Sequence, residues 1–199
     1  YEITTRLVGS EMCIRDRKQL PNVLTEDDIR TSDDIWAKYS LDERYCFSTH
    51  SLLSSALETW QNAPVALLRE HYRCHPKIIN FCNQKFYHGQ LIIMTKDHDE
   101  SDVLTMYRTA AGNHARGHLN QRQIDVIQQE VLPRLNQQNF QSIGIITPYR
   151  DQVAAIRKQL GGAYEVDTVH KFQGREQDAI ILTSVDNVIT DFVDDPHML

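Results

Sequence analysis

Apolar residues recur along this chain in two alternating rhythms. Short continuous runs read as buried strands: VALL (65–68), VLTMY (103–107), SIGII (142–146), YEVDTV (164–169) and AIILTSV (179–185). Between them apolar residues return at helical spacing. Leu52, Leu53, Ala56, Leu57 and Trp60 mark one helix. Ile78, Ile79, Cys82 and Phe86 mark a second, with Pro76 at its first position. Ile124, Ile127, Val131 and Leu135 mark a third, with Asn120 as its N-cap and Pro133 set to end or kink it. Val153, Ile156 and Leu160 mark a fourth, closed by Gly161. The polar stretch 25–34 suits a loop or a short helix, and residues 108–119 read as a loop. Strands alternating with helices predict an α/β fold with a three-layer, mainly parallel sheet.

The lead-in breaks this pattern. RLVGSEMCIRD (6–16) has no period of 2 or 3.6 and reads as translated adapter sequence joined to coherent text. Residues 1–17 are therefore expected to be non-native, to pack poorly and to carry no function.

Composition narrows the picture only modestly. The 199 residues carry a formal charge of −6, with 41% hydrophobic and 24% charged residues. These are ordinary globular values and argue against a basic nucleic-acid coat protein. No apolar run approaches the ~18 residues of a membrane span, so a soluble, cytoplasmic protein without membrane association is expected. The four cysteines form no CxxC pair. His71, Cys74, His75 and Cys82 lack the paired, regular spacing of structural zinc sites, so no metal site is assigned.

Candidate chemistry collects at strand ends, where an open parallel sheet binds ligands. Arg69, Tyr72 and Arg73 follow the first run. Thr147, Pro148, Tyr149 and Arg150 follow 142–146, and Thr168, His170, Gln173, Gly174, Arg175 and Glu176 follow 164–167. Hydroxyls and backbone N–H groups hold nucleic-acid phosphates without reading sequence. Arginine forks onto phosphate, and glycine permits close backbone approach. Each group has a second reading: Arg73 as a surface ion pair, a threonine as a helix cap, Arg175 and Glu176 as solvated charges, His170 as an ordinary histidine. No GxSxG or GxGxxG occurs, which disfavours a stand-alone hydrolase or dinucleotide enzyme.

Three longer blocks settle the choice. LREHYRCHPKIINFCNQKFYHGQL (68–91), GIITPYRDQVAAI (144–156) and DTVHKFQGREQDAIIL (167–182) resemble consecutive blocks of superfamily 1 helicases, in the branch of the nonsense-decay helicase and its bacterial relatives. KQLP (18–21) resembles the end of that family's motif III. The resemblance covers about residues 18–199. It implies the second, C-terminal RecA-like domain of an ATP-dependent helicase, an AAA domain incomplete at both ends and truncated before motif VI. It further implies Arg73 as an arginine finger on the γ-phosphate, and Gln19 as a coupler between that phosphate and the strand. Gly174, Arg175 and Glu176 would contact ATP, Glu176 through the ribose. Thr147, Pro148, Tyr149, Thr168 and His170 would contact single-stranded or duplex nucleic acid, while Tyr72 and His75 would shape the loop around Arg73.

The departures are specific. Arg15 and Asp16 stand where motif III has Gly-Asp, and Cys74 stands where methionine is common. None of the eight glycines precedes a lysine, so these residues contain no GxxxxGK[ST], and no DEA-type box occurs. ATP and Mg2+ would then be held mainly by the N-terminal RecA-like domain, the expected partner, and the 199 residues alone would be inactive. The competing expectation is a non-catalytic nucleic-acid-binding or regulatory module that retains the fold.

Overall fold

The computed structural model describes residues 24–193, apart from 111, 113, 189 and 192. The lead-in 1–17, Gln19 and the rest of KQLP lie outside the described residues. The chain divides into two compact units, one ending at Met106 and one beginning at Tyr107.

In the first unit the polar stretch after Leu24 forms helix α1 (Glu26–Tyr39). Its start is a capping box. The Thr25 hydroxyl accepts from the Asp28 N–H at 3.2 Å, and the Asp28 carboxylate accepts from the Thr25 N–H at 2.9 Å. Helix α2 (Leu52–Thr59) is capped by Ser51. Strand β1 (Glu70–His71) pairs in parallel with β2 (Ile92–Ile93), and the crossover between them is α3 (Pro76–Phe86), with Pro76 in its first turn.

Two of the predicted strands do not form. Residues 65–68 and 103–107 form no strand. Leu68 is 89% exposed and Met106 91% exposed. Apolar content alone predicts a buried strand at 65–68, but a buried strand needs neighbours on its edges and faces. Among the described residues, strand pairing begins just beyond this run, where Ile92 N–H donates to Arg69 O at 2.8 Å. The predicted face of α3 is realised in part, with Ile79 buried and Ile78 exposed.

The second unit holds the larger sheet. A short antiparallel hairpin, β3 (Ala115–Arg116) and β4 (Leu119–Asn120), replaces part of the expected loop. Helix α4 (Gln121–Val126) follows, capped by Asn120 as expected, with the Asn120 side chain accepting from Gln123 N–H. It runs through a π turn (Ile127–Val131) into α5 (Leu132–Gln137). Pro133 lacks an N–H and its ring crowds the carbonyl one turn back, so the widened turn before it accommodates what an unbroken α-helix would not.

Strand β5 (Ile143–Thr147) is central. It pairs in parallel with β6 (Glu165–Thr168) on one side and β7 (Ala179–Leu182) on the other. The crossover from β5 to β6 is α6 (Arg150–Leu160), ended by Gly161 in the left-handed conformation. A short turn of helix, α7 (Val169–Phe172), follows β6.

Alternation along β5 sorts the packing. Ile143 and Ile145 enter a core with Ile124, Ile127, Val131, Leu132, Val153, Ile156, Val166 and Ile181. Gly144 faces the other way, against Phe172: a Cβ there would lie 2.7 Å from the phenyl ring. Helical residues therefore cover both faces, and the mainly parallel α/β architecture expected of a RecA-like domain is realised in small sheets. Gly144→Ala is expected to cost about 1–3 kcal/mol by overpacking, read as a lowered urea midpoint. An unchanged midpoint would mean that Phe172 is not held against the strand.

Candidate nucleic-acid interface

In the second unit, the C-terminal edge of the sheet brings several predicted residues together. Thr147 and Thr168 are register partners, the last residues of β5 and β6. Neighbouring strands lie about 4.8 Å apart, so the two hydroxyl-bearing residues stand side by side. Thr147 is 1% exposed, and its hydroxyl has no hydrogen-bond partner. A buried hydroxyl without a partner is costly in a folded protein, and this one lies at the end of the central strand. Thr168 begins α7, where its side chain makes no capping bond. Its N–H donates instead to Asp167 Oδ1 at 2.8 Å. Asp167 Oδ2 is held by Arg157 of α6 at 3.0 Å, which fixes the strand end against that helix.

Pro148 and Tyr149 connect β5 to α6. Tyr149 is the N-cap of α6 without a side-chain capping bond. Its hydroxyl donates to Asp186 Oδ2 at 2.7 Å. Burial first, then that carboxylate, raise the Tyr149 phenol above its usual range. His170 lies half-buried in α7, one turn from the same edge.

Gly174 follows α7 with φ +81 and open space around the position of a Cβ. The requirement for glycine there is conformational, since other residues rarely adopt that φ. Arg175 folds back onto its own unit: it pairs with Glu165 and lies over the Phe172 ring at 5.9 Å. Glu176 is exposed.

In the first unit, Arg73 is exposed on a loop whose backbone is pinned on both sides of the next peptide. Cys74 N–H donates to His71 Nε2 at 2.9 Å, and Cys74 O accepts from the Thr95 hydroxyl at 2.7 Å. Burial, then the Arg73 guanidinium, hold the His71 imidazole below its usual range. Such an imidazole stays neutral, as an accepting Nε2 requires. His75 Nδ1 accepts from Lys77 N–H at the start of α3, and its Nε2 meets Glu100 at 3.2 Å and Asp97 at 3.3 Å. His75 thus meets two carboxylates. Tyr72 bonds Glu70 through its hydroxyl.

Sequence reasoning missed two kinds of residue. His71 and Thr95, which fix the loop, carry no pattern of their own. The second kind is a buried polar network behind the sheet edge. Gln152, fully buried, accepts from Asn120 N–H at 2.9 Å and donates to Asn120 O at 3.3 Å. Asn120 Nδ2 donates to Val185 O at 2.8 Å, and Val185 N–H donates to Gln123 Oε1 at 3.0 Å. Val185 itself is buried with φ +69, an unusual conformation for a β-branched residue. The TPYRDQ text does place a glutamine three residues after Tyr149, which was the one available signal.

A parallel sheet with hydroxyl-bearing residues at its carboxyl edge and a left-handed glycine beyond it is consistent with a RecA-like domain. The profile of the AAA domain family matches residues 48–198, and the chain belongs to that family, in its superfamily 1 helicase branch. Among relatives, the 5'-3' DNA helicase ZGRF1 of Mus musculus is 28% identical over 200 residues, 91% of this chain and 10% of its own length. The Homo sapiens protein described as "Probable helicase senataxin" is 30% identical over 143 residues, 61% of this chain and 5% of its own. The DNA-binding protein SMUBP-2 of Rattus norvegicus is 26% identical over 163 residues, 69% of this chain and 16% of its own. The chain therefore spans between 5% and 16% of the length of these three relatives. Among the described residues, no helix is long and apolar enough to cross a membrane.

Proposed function

We propose that the chain is the second motor domain of an ATP-dependent helicase that moves along nucleic acid in the cytoplasm, and that residues 1–17 are not part of it. The observation that carries this reading is the threonine pair at the sheet edge, with the buried, unpartnered hydroxyl of Thr147. Thr147 and Thr168 would hold the phosphate backbone of the strand, with the Pro148–Tyr149 turn and His170 beside them. Contacts of that kind do not read sequence. The relatives described as helicases and as a DNA-binding protein support the same reading.

The chemistry of the exposed groups fits a nucleotide. Gly174, Arg175 and Glu176 would contact ATP, the Glu176 carboxylate accepting from ribose hydroxyls. Arg175 would first have to leave Glu165. Arg73 would serve as the arginine finger and Gln19 as the coupler to the strand. ATP with Mg2+, held mainly by the N-terminal RecA-like domain, supplies the free energy of γ-phosphate hydrolysis. The 199 residues alone would not turn it over.

Thr147→Val in the full-length protein tests the edge. The substitution is nearly isosteric and removes only an unpartnered hydroxyl, so stability should hold or rise slightly. Affinity for a single strand should fall by roughly 10- to 100-fold, equally for all sequences, because a hydrogen bond to a charged group contributes about 1.5–3 kcal/mol. Undiminished binding in a fluorescence titration would refute the assignment of Thr147.

A further inference from the structure

We infer that His118 is a stacking platform for a nucleic-acid base, one step outside the threonine edge; the inference rests on reading that edge as a strand contact. Gly117 and His118 form the two-residue tip of the β3–β4 hairpin. The His118 ring lies parallel to the Tyr149 ring, with centroids 4.5 Å apart and planes 3° from each other. Tyr149 is itself fixed, since its backbone opens α6 and its hydroxyl is bonded to Asp186 at 2.7 Å. It stands two residues beyond Thr147. His118 is therefore braced on one face while its side chain remains 63% exposed.

An aromatic ring braced on one side and open on the other is the arrangement on which bases of a single strand stack. The charge around it favours a base over a phosphate. The Asp151 carboxylate, 72% exposed, lies 3.8 Å from His118 Nδ1. A negative group there opposes a phosphate but not an uncharged base. Every base has a π face, so the contact would be sequence-tolerant. The strand would then be held through its phosphates at Thr147 and Thr168 and through one base at His118.

The test uses the full-length protein without ATP, titrated by fluorescence anisotropy with oligothymidylate and with an abasic strand of equal length. His118→Ala is expected to weaken oligothymidylate binding about tenfold and to leave abasic binding unchanged. His118→Phe, which keeps a ring, should restore the affinity. His118→Lys, which supplies a cation without a ring, should not. Unchanged oligothymidylate affinity in His118→Ala overturns the platform, as does an equal loss on the abasic strand or rescue by lysine instead of phenylalanine. If His118→Ala is silent while Thr147→Val still loses affinity, the platform falls and the edge stands. If the unsubstituted protein binds neither strand, both fall.

Discussion

Arg73→Ala in the full-length protein is expected to lower ATP turnover by roughly 10³- to 10⁵-fold, the range an arginine finger contributes, while ATP affinity changes only a few-fold. The split follows from where a finger acts. A guanidinium aimed at the γ-phosphate stabilises charge that develops during transfer, so its loss falls on turnover more than on ground-state binding. The bonds that shape the loop run from Cys74 N–H to His71 and from the Thr95 hydroxyl to Cys74 O, and Arg73 supplies neither. The residue is exposed, so its removal leaves no cavity. Arg73→Lys should not rescue turnover, because a point charge does not reproduce the planar fork. Steady-state hydrolysis and nucleotide-analogue binding, measured on the same preparation, decide the matter. Turnover equal to that of the unsubstituted protein would remove Arg73 from the mechanism. An unsubstituted protein with no turnover at all would favour the non-catalytic module.

Gln152→Leu should destabilise the second unit by about 3 kcal/mol. Gln152 is fully buried and satisfies both backbone groups of Asn120. Leucine fills much of the volume but leaves a buried N–H and a buried C=O without partners, at roughly 1–3 kcal/mol each. The loss should also have an address. Asn120 holds Val185 O, and Gln123, three residues on, holds Val185 N–H. Once Asn120 is no longer fixed, the Val185 amide should exchange with solvent much faster, while the Ile145 amide at the centre of the sheet slows or speeds only with global stability. A shift below about 0.5 kcal/mol, the size of an ordinary surface substitution, would show that water replaces the glutamine without cost.

Legibility in the sequence tracked the range of the interaction concerned. Strands β5, β6 and β7 appeared as apolar runs, and helices α3 and α6 as periodic faces, because those signals are local. The Asn120 cap and the Gly161 stop were legible for the same reason. The runs 65–68 and 103–107 failed as strands because apolar content does not reveal whether a neighbouring strand exists. The π turn was visible only as trouble at Pro133. For the site, the threonines could be placed at strand ends, but their pairing depends on the register of β5 against β6. Asn120 and Gln152 are 32 residues apart, and Asn120 and Val185 are 65 apart. No periodicity reports side chains that meet backbone over such separations. Likewise Thr95 reaches Cys74 across 21 residues, so the support of the Arg73 loop was hidden although the arginine was not.

The closeness of Gly144 to Phe172 has a consequence for how the chain can change over time. The ring occupies the space that a side chain at 144 would need, so the two positions share one volume. A larger residue at 144 is tolerable only if 172 shrinks, and a smaller residue at 172 leaves a gap that 144 can fill. Neither position can drift freely, and the path between two acceptable pairs passes through an overfilled or an underfilled intermediate. The segment that carries His170 and leads to Gly174 is thus tied to the middle of β5 by a historical constraint as well as a mechanical one.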